Sequence, residues 1–155
     1  MRKKNVILLV VLKLRKVIYL ANNPIILPSY HPIIQNNMKI NKYSLNNGLR
    51  LVHYQDLSTQ MVALNIVYDV GARDEHPEHT GFAHLFEHLM FGGSVNIPDY
   101  DAPLQSAGGE NNAWTNNDIT NYYLTVPKSN VEIGFWLESD RMMELSLIHI
   151  SEPTR

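Results

Sequence analysis

The segment from Thr59 to Val70 alternates, with Val62, Leu64, Ile66, Tyr68 and Val70 on one side. That period of two predicts a half-buried strand. Upstream, Lys42–Leu45 and Leu49–Tyr54 flank Asn47-Gly48 and predict a hairpin of two short strands. Downstream the pattern becomes helical. Thr80, as a cap, opens a helix running to about Phe91, which Gly92-Gly93 ends. Asp99–Ala107 predicts a second, shorter helix, with Pro103 tolerated only near its first turn and Gly108-Gly109 closing it. Asn111–Asn116 and Ile119–Val126 read as two strands around a polar turn. Ser129 with Glu132 forms a capping box opening an amphipathic helix that holds Val131, Phe135, Trp136 and Met143. The order ββ–β–α–α–ββ–α predicts the α+β class, an antiparallel sheet covered by helices.

Composition narrows the function without naming it. At 155 residues the chain can hold one core. Cysteine is absent, which excludes disulfides, thiolate catalysis and cysteine-rich zinc modules. A net charge of −2 gives no support for nucleic-acid binding. The charge is unevenly placed: Met1–Asn37 holds six basic and no acidic residues, and the remainder holds seven basic against fifteen acidic. Residues 1–37 therefore read as an N-terminal extension, signal-like or upstream of the natural start. Arg2, Lys3 and Lys4 precede the apolar run Val6–Leu12, but Lys13, Arg15 and Lys16 follow at once and no small-residue cleavage site is visible. The run is too short to span a membrane. With Met38 as the start a cytoplasmic protein is expected; with a working signal, an exported or periplasmic one.

The chemistry concentrates in His84-Leu85-Phe86-Glu87-His88, an H-x-x-E-H segment inside the first predicted helix. Residues four apart lie one turn apart on one helix face, so both imidazoles can aim at one metal ion. Zinc accepts two neutral imidazoles and a carboxylate while keeping a position open for water. Glu87 borders the same face and can take a proton from an attacking water. Apolar Leu85, Phe86 and Leu89 are expected to anchor the helix in a core. The bland alternative is a pair of surface histidines beside a glutamate. His31, His53, His76 and His79 lie at a strand edge or in polar segments and are weaker candidates.

Several ordered blocks carry a resemblance. Gly71-Ala72-Arg73-Asp74-Glu75, Thr80 through Gly93 with the H-x-x-E-H segment, Gly109-Glu110-Asn111-Asn112-Ala113-Trp114-Thr115, Asn121-Tyr122-Tyr123 and Trp136–Met142 together resemble the pitrilysin/insulinase family of inverted-motif zinc metallopeptidases, which includes the mitochondrial processing peptidases. The likeness runs from about Met38 to Glu144. It implies the first half of a clamshell-shaped zinc metalloendopeptidase: His84 and His88 as ligands of one Zn2+, Glu87 as general base, and Asn112 and Ala113 on an edge strand that pairs with an extended peptide or protein substrate. For Asn112 and Ala113 an ordinary strand beside a turn remains the alternative. A homodimer or heterodimer is compatible with the resemblance. The family's third ligand is a glutamate in a later helix, and Glu132, Glu138 and Glu144 do not stand at that place, so residues 38–144 are expected to form a partial catalytic domain with an incomplete site.

Leu145–Arg155 departs from the family and resembles the in-frame translation of a sequencing-library adapter. It is expected to be a non-native tail, in which His149 and Glu152 carry no functional weight. Two rivals stand beside the enzyme. One is a non-catalytic member of the family acting as a partner or scaffold subunit, although such members usually lose part of the motif and this chain keeps all three residues. The other is an unrelated metal-binding or structural α+β domain, against which the ordered flanking blocks argue.

Overall fold

The computed structural model describes residues 6–11, 19–20, 23–24, 31–35 and 38–143, with side chains from residue 40 onward. The expected tail Leu145–Arg155, with His149, lies outside the described residues.

Among the described residues three α-helices cover one face of a seven-stranded sheet. The strands are β1 (Val6–Val11), β4 (His31–Gln35), β5 (Met38–Ser44), β6 (Arg50–Tyr54), β7 (Met61–Tyr68), β8 (Glu110–Thr115) and β9 (Thr120–Pro127), while β2 (Tyr19–Leu20) and β3 (Asn23–Pro24) form a small ladder of their own. The helices are α1 (Phe82–Leu89), α2 (Asp101–Ser106) and α3 (Val131–Met143). The sheet order is β4-β5-β6-β1-β7-β9-β8. Every neighbouring pair is antiparallel except β1 with β6. The α+β class expected from the pattern is the class observed. The apolar stretch Val6–Val11 is a strand of this sheet, lying between β6 and β7.

The alternation in β7 does what its period requires. Val62, Leu64 and Ile66 are fully buried, and across the β7–β9 ladder Val62 faces Val126, Leu64 faces Leu124 and Ile66 faces Tyr122. Tyr100 and Leu104 at α2 and Val131 and Leu137 of α3 close over these residues. Each fully buried aliphatic side chain contributes about 1.5–3 kcal/mol. The hairpin is looser than a two-residue Asn-Gly turn. Leu45 N–H donates to Leu49 O, Gly48 N–H donates to Leu45 O, and Asn47 Oδ1 accepts from Leu49 N–H, so the connection takes residues 45–49 and β6 begins at Arg50.

Helix α3 differs from expectation. A 3-10 turn over Lys128–Asn130 precedes it, no Ser129 side-chain hydrogen bond closes a capping box among the described residues, and Asn130 Nδ2 donates to Ala107 O. Its buried face is Val131, Gly134, Leu137, Glu138 and Arg141, whereas Trp136 is 48% and Met143 80% exposed. Gly134 sets that face. A Cβ there would stand 2.7 Å from Leu64 Cδ1 and 3.0 Å from Leu124 Cδ1, so glycine lets the helix lie this close to β7 and β9 without displacing those two leucine ends.

Candidate metal centre

Helix α1 is held at its start by a side chain from outside it. Gly81, at φ 90°, is the N-cap and offers no side-chain oxygen, and Thr80 does not cap. Glu75 supplies both oxygens instead: Gly81 N–H donates to Oε2 and Ala83 N–H to Oε1, each at 2.7 Å. A carboxylate against free amides at a helix N-terminus is favoured by hydrogen bonding and by the helix dipole. These bonds, that from Ala83 N–H foremost and Gly81 N–H next, hold the Glu75 carboxyl below the ordinary glutamate value. The Glu75 loop is fixed in turn. Gly71 packs under the turn after β8, where Ala72 and Arg73 N–H donate to the Asn116 and Asn117 carbonyls. Arg73 joins Asp69 and Asp118 through its two terminal nitrogens, each at 2.7 Å.

The inward face of α1 is not the one expected. Ala83 and Glu87 are its buried residues, followed by Met90 just beyond the helix, at positions i, i+4 and i+7. That leaves Phe82, Leu85 and Phe86 about half exposed, at 49%, 49% and 51%. Leu85 and Phe86 do not anchor the helix; the small Ala83 and the carboxylate of Glu87 face the sheet.

His84 and His88 project from the exposed edge of the same helix. Their Nε2 atoms lie 3.0 Å apart and their ring centroids 4.6 Å apart. Two nitrogens this close can both bond one ion at the zinc–nitrogen distance of about 2.0–2.1 Å. The donor set, two imidazoles, is one zinc accepts. Among the described residues no group of three His, Cys, Asp or Glu side chains comes together. The histidine pair offers two nitrogen donors on one side of the helix, and neither Glu132 nor Glu138 joins them. Glu87, 8% exposed, turns beneath them, and its Oε2 accepts a 2.5 Å hydrogen bond from the Thr115 hydroxyl.

Strand β8 runs beside α1 and is the last strand of the sheet on that side. Asn112 and Ala113 lie in it, paired across to Tyr123 and Tyr122. Ala113 N–H donates at 2.8 Å to Asn112 Oδ1. An antiparallel ladder leaves alternate amides on an edge strand facing outward, and a side-chain acceptor from the neighbouring residue satisfies this one. At the other end of α1, Arg141 Nη1 donates to the Met90 carbonyl at 3.4 Å. Arg141 also forms a buried pair with Glu138, lies 4.5 Å from the Tyr100 ring and 4.6 Å from the Tyr122 ring, and Tyr100 Oη donates to Glu138 Oε1 at 2.5 Å. Burial raises the Tyr68 phenol to about 12. A cavity of about 650 Å³ lies between the Gly71–His79 loop, α1 and the sheet, lined by Tyr68, Glu75, Phe82, Phe86 and Tyr122; none of His84, Glu87 and His88 lines it.

The weaker histidines fall elsewhere. His76 and His79 pair with each other in an isolated bridge, and His53 Nδ1 lies 3.0 Å from Asn41 Nδ2. Sequence reasoning missed Glu75, Thr115, Glu138 and Arg141. The alternation of β8 carried a signal for one of them, since Thr115 stands two residues beyond Ala113 on the helix-covered side. Nothing in local pattern marks Glu75 as a cap for residues six and eight positions on.

Helix and sheet together define the class, an H-x-x-E-H helix laid over a largely antiparallel sheet. The family described as Insulinase (Peptidase family M16) matches residues 50–145, and the chain belongs to that family. The zinc protease PqqE of Helicobacter pylori is 32% identical over 107 residues, covering 67% of this chain and 24% of the relative. A probable mitochondrial-processing peptidase subunit beta of Arabidopsis thaliana is 30% identical over 115 residues, covering 73% of this chain and 21% of the relative. The crystal structure of a protease from Helicobacter pylori superposes with a TM-score of 0.64 at 30% identity, covering 78% of this chain and 27% of that one. The chain thus spans about a quarter of the length of these relatives. Among the described residues no helix is long and apolar enough to cross a membrane.

Proposed function

We propose that the protein is a zinc-dependent metalloendopeptidase, of which this chain supplies the helix bearing two metal ligands and the general base. The observation that carries the reading is the convergence of the His84 and His88 Nε2 atoms to 3.0 Å on a helix whose intervening Glu87 is buried and held. Zinc bound by the two imidazoles would polarise the scissile carbonyl and lower the pKa of water. Glu87 then takes the proton of the attacking water and can later deliver it to the leaving amine. Peptide substrate adds as a further strand beside β8, where Asn112 and Ala113 offer edge backbone groups; the Ala113 amide exchanges the Asn112 side chain for a substrate carbonyl. The third ligand, a glutamate, is assigned to sequence outside these 155 residues, and the chain alone is expected to hydrolyse peptides poorly or not at all.

The test is metal content and peptide hydrolysis measured together on the full-length protein. His84→Ala and His88→Ala should lose zinc and turnover in parallel, because each removes a ligand outright. A variant lacking either imidazole that retained stoichiometric zinc and full turnover would remove that residue from the site.

A further inference from the structure

We propose that Thr115 is a positioning residue for Glu87, fixing the carboxylate on its helix so that one oxygen is held and the other is left for the proton. The proposal rests on the reading of Glu87 as general base and adds to it a second residue, on a different element.

The geometry is specific. Thr115 is the last residue of β8, half-buried, on the side of the strand covered by α1. Its hydroxyl reaches Glu87 Oε2 at 2.5 Å and lies 3.3 Å from Thr120 Oγ1. Thr120 is buried and donates its own proton to the Val70 carbonyl at 2.9 Å, so toward Thr115 it can offer only a lone pair. A hydroxyl has one proton to give. For Thr115 the carboxylate is the nearer acceptor and the charged one, and charge-assisted O–H···O bonds of this length are the stronger kind. Among the described residues Glu87 Oε1 has no hydrogen-bond partner, so the carboxylate is tied at one oxygen only.

The tie has a mechanical consequence. A free glutamate side chain samples many rotamers, and immobilising one costs conformational entropy. Here the strand imposes the orientation before any reaction begins. Catalysis by a positioned base depends on placement, and a displacement of about 1 Å can cost 100-fold in rate. Thr115 also belongs to the strand whose outer edge is proposed to receive the peptide, two and three residues from Ala113 and Asn112. One rigid element would therefore register the substrate backbone against the base.

The experiment compares Thr115→Val, which keeps the shape and loses the hydroxyl, with Thr115→Ser, which keeps the hydroxyl and loses the methyl. Both are made in the full-length protein, and kcat, KM, zinc content and thermal melting are recorded beside wild type and Glu87→Gln. Thr115→Val is expected to keep zinc and a KM near wild type while kcat falls about 10- to 100-fold. Thr115→Ser is expected to stay within about threefold of wild type, because the hydrogen bond survives. A Thr115→Val enzyme with wild-type kcat overturns the proposal. So does an equal loss in both variants, or a Thr115→Val that loses zinc or its fold, since each would mark Thr115 as structural. Failure of the underlying reading looks different: Glu87→Gln as active as wild type would remove the base, and with it any need to position one.

Discussion

Glu138 and Arg141 face each other across one turn of α3 in a buried pair, with Arg141 Nη2 2.6 Å from both carboxylate oxygens and the two side chains 6% and 2% exposed. Burial works against the Arg141 charge, but the adjoining Glu138 carboxylate, with Tyr100 and Tyr68 nearby, lifts its pKa above the ordinary arginine value. The pair sits where α2, α3, β9 and the end of α1 meet. Through the Met90 carbonyl it ties the helix of the candidate site to the core.

Removing one partner leaves the other charged and buried. Glu138→Ala should therefore destabilise the domain by about 3–5 kcal/mol, read as a lowered midpoint in urea unfolding. Glu138→Gln, which can still accept from Arg141 and Tyr100, should cost less. Equal and small losses in both would mean that the pair is not desolvated in solution.

Glycine positions give a graded test of the packing. A Cβ on Gly71 would stand 2.5 Å from the Asn116 carbonyl oxygen, which is backbone and cannot yield. On Gly134 it would meet the ends of two leucine side chains, which can rotate away. Overpacking costs about 1–3 kcal/mol, so Gly71→Ala should fall at or above the top of that range and Gly134→Ala nearer its bottom. Thermal melting of the two variants side by side checks the order. A reversed order would place the loop after β7 differently.

The fold was legible where one period dominates. In β7, side chains on the covered face are simply every second residue, and the alternation from Val62 to Ile66 forecast the core directly. The histidine pair was legible for the same reason, since spacing alone sets a helix face. What escaped were choices made by tertiary partners. The apolar Leu85 and Phe86 could have faced the core, but Glu87 turned inward because Thr115 receives it. Trp136 could have led α3, but Gly134 and the Glu138–Arg141 pair fit closer to the sheet. The cap of α1 came from Glu75 rather than Thr80 because the loop returns on itself, a contact with no local periodicity.

Glu75 gives the cap a pH signature. Its folded-state pKa lies below the ordinary glutamate value through the Ala83 and Gly81 amides. A depressed carboxylate pKa contributes stability that is fully present above the unfolded value and is lost as pH falls through the folded one. Wild type should lose helix stability on acidification through that window, and Glu75→Gln, already without the charge, should lose less across it. Amide hydrogen exchange at Gly81 and Ala83, followed from neutral pH downward, reads this locally. Identical pH profiles in the two proteins would show that the cap does not depend on the charge.

The central claim is that Glu87 serves as the base beside a metal held by His84 and His88. Zinc content and peptide turnover of full-length Glu87→Gln, determined on one preparation, test it most directly. The amide keeps the side chain's shape and can still accept from Thr115, but it cannot take a proton from water. The account predicts zinc bound as in wild type with turnover reduced by at least about 100-fold. Zinc retained with near-normal turnover would contradict it.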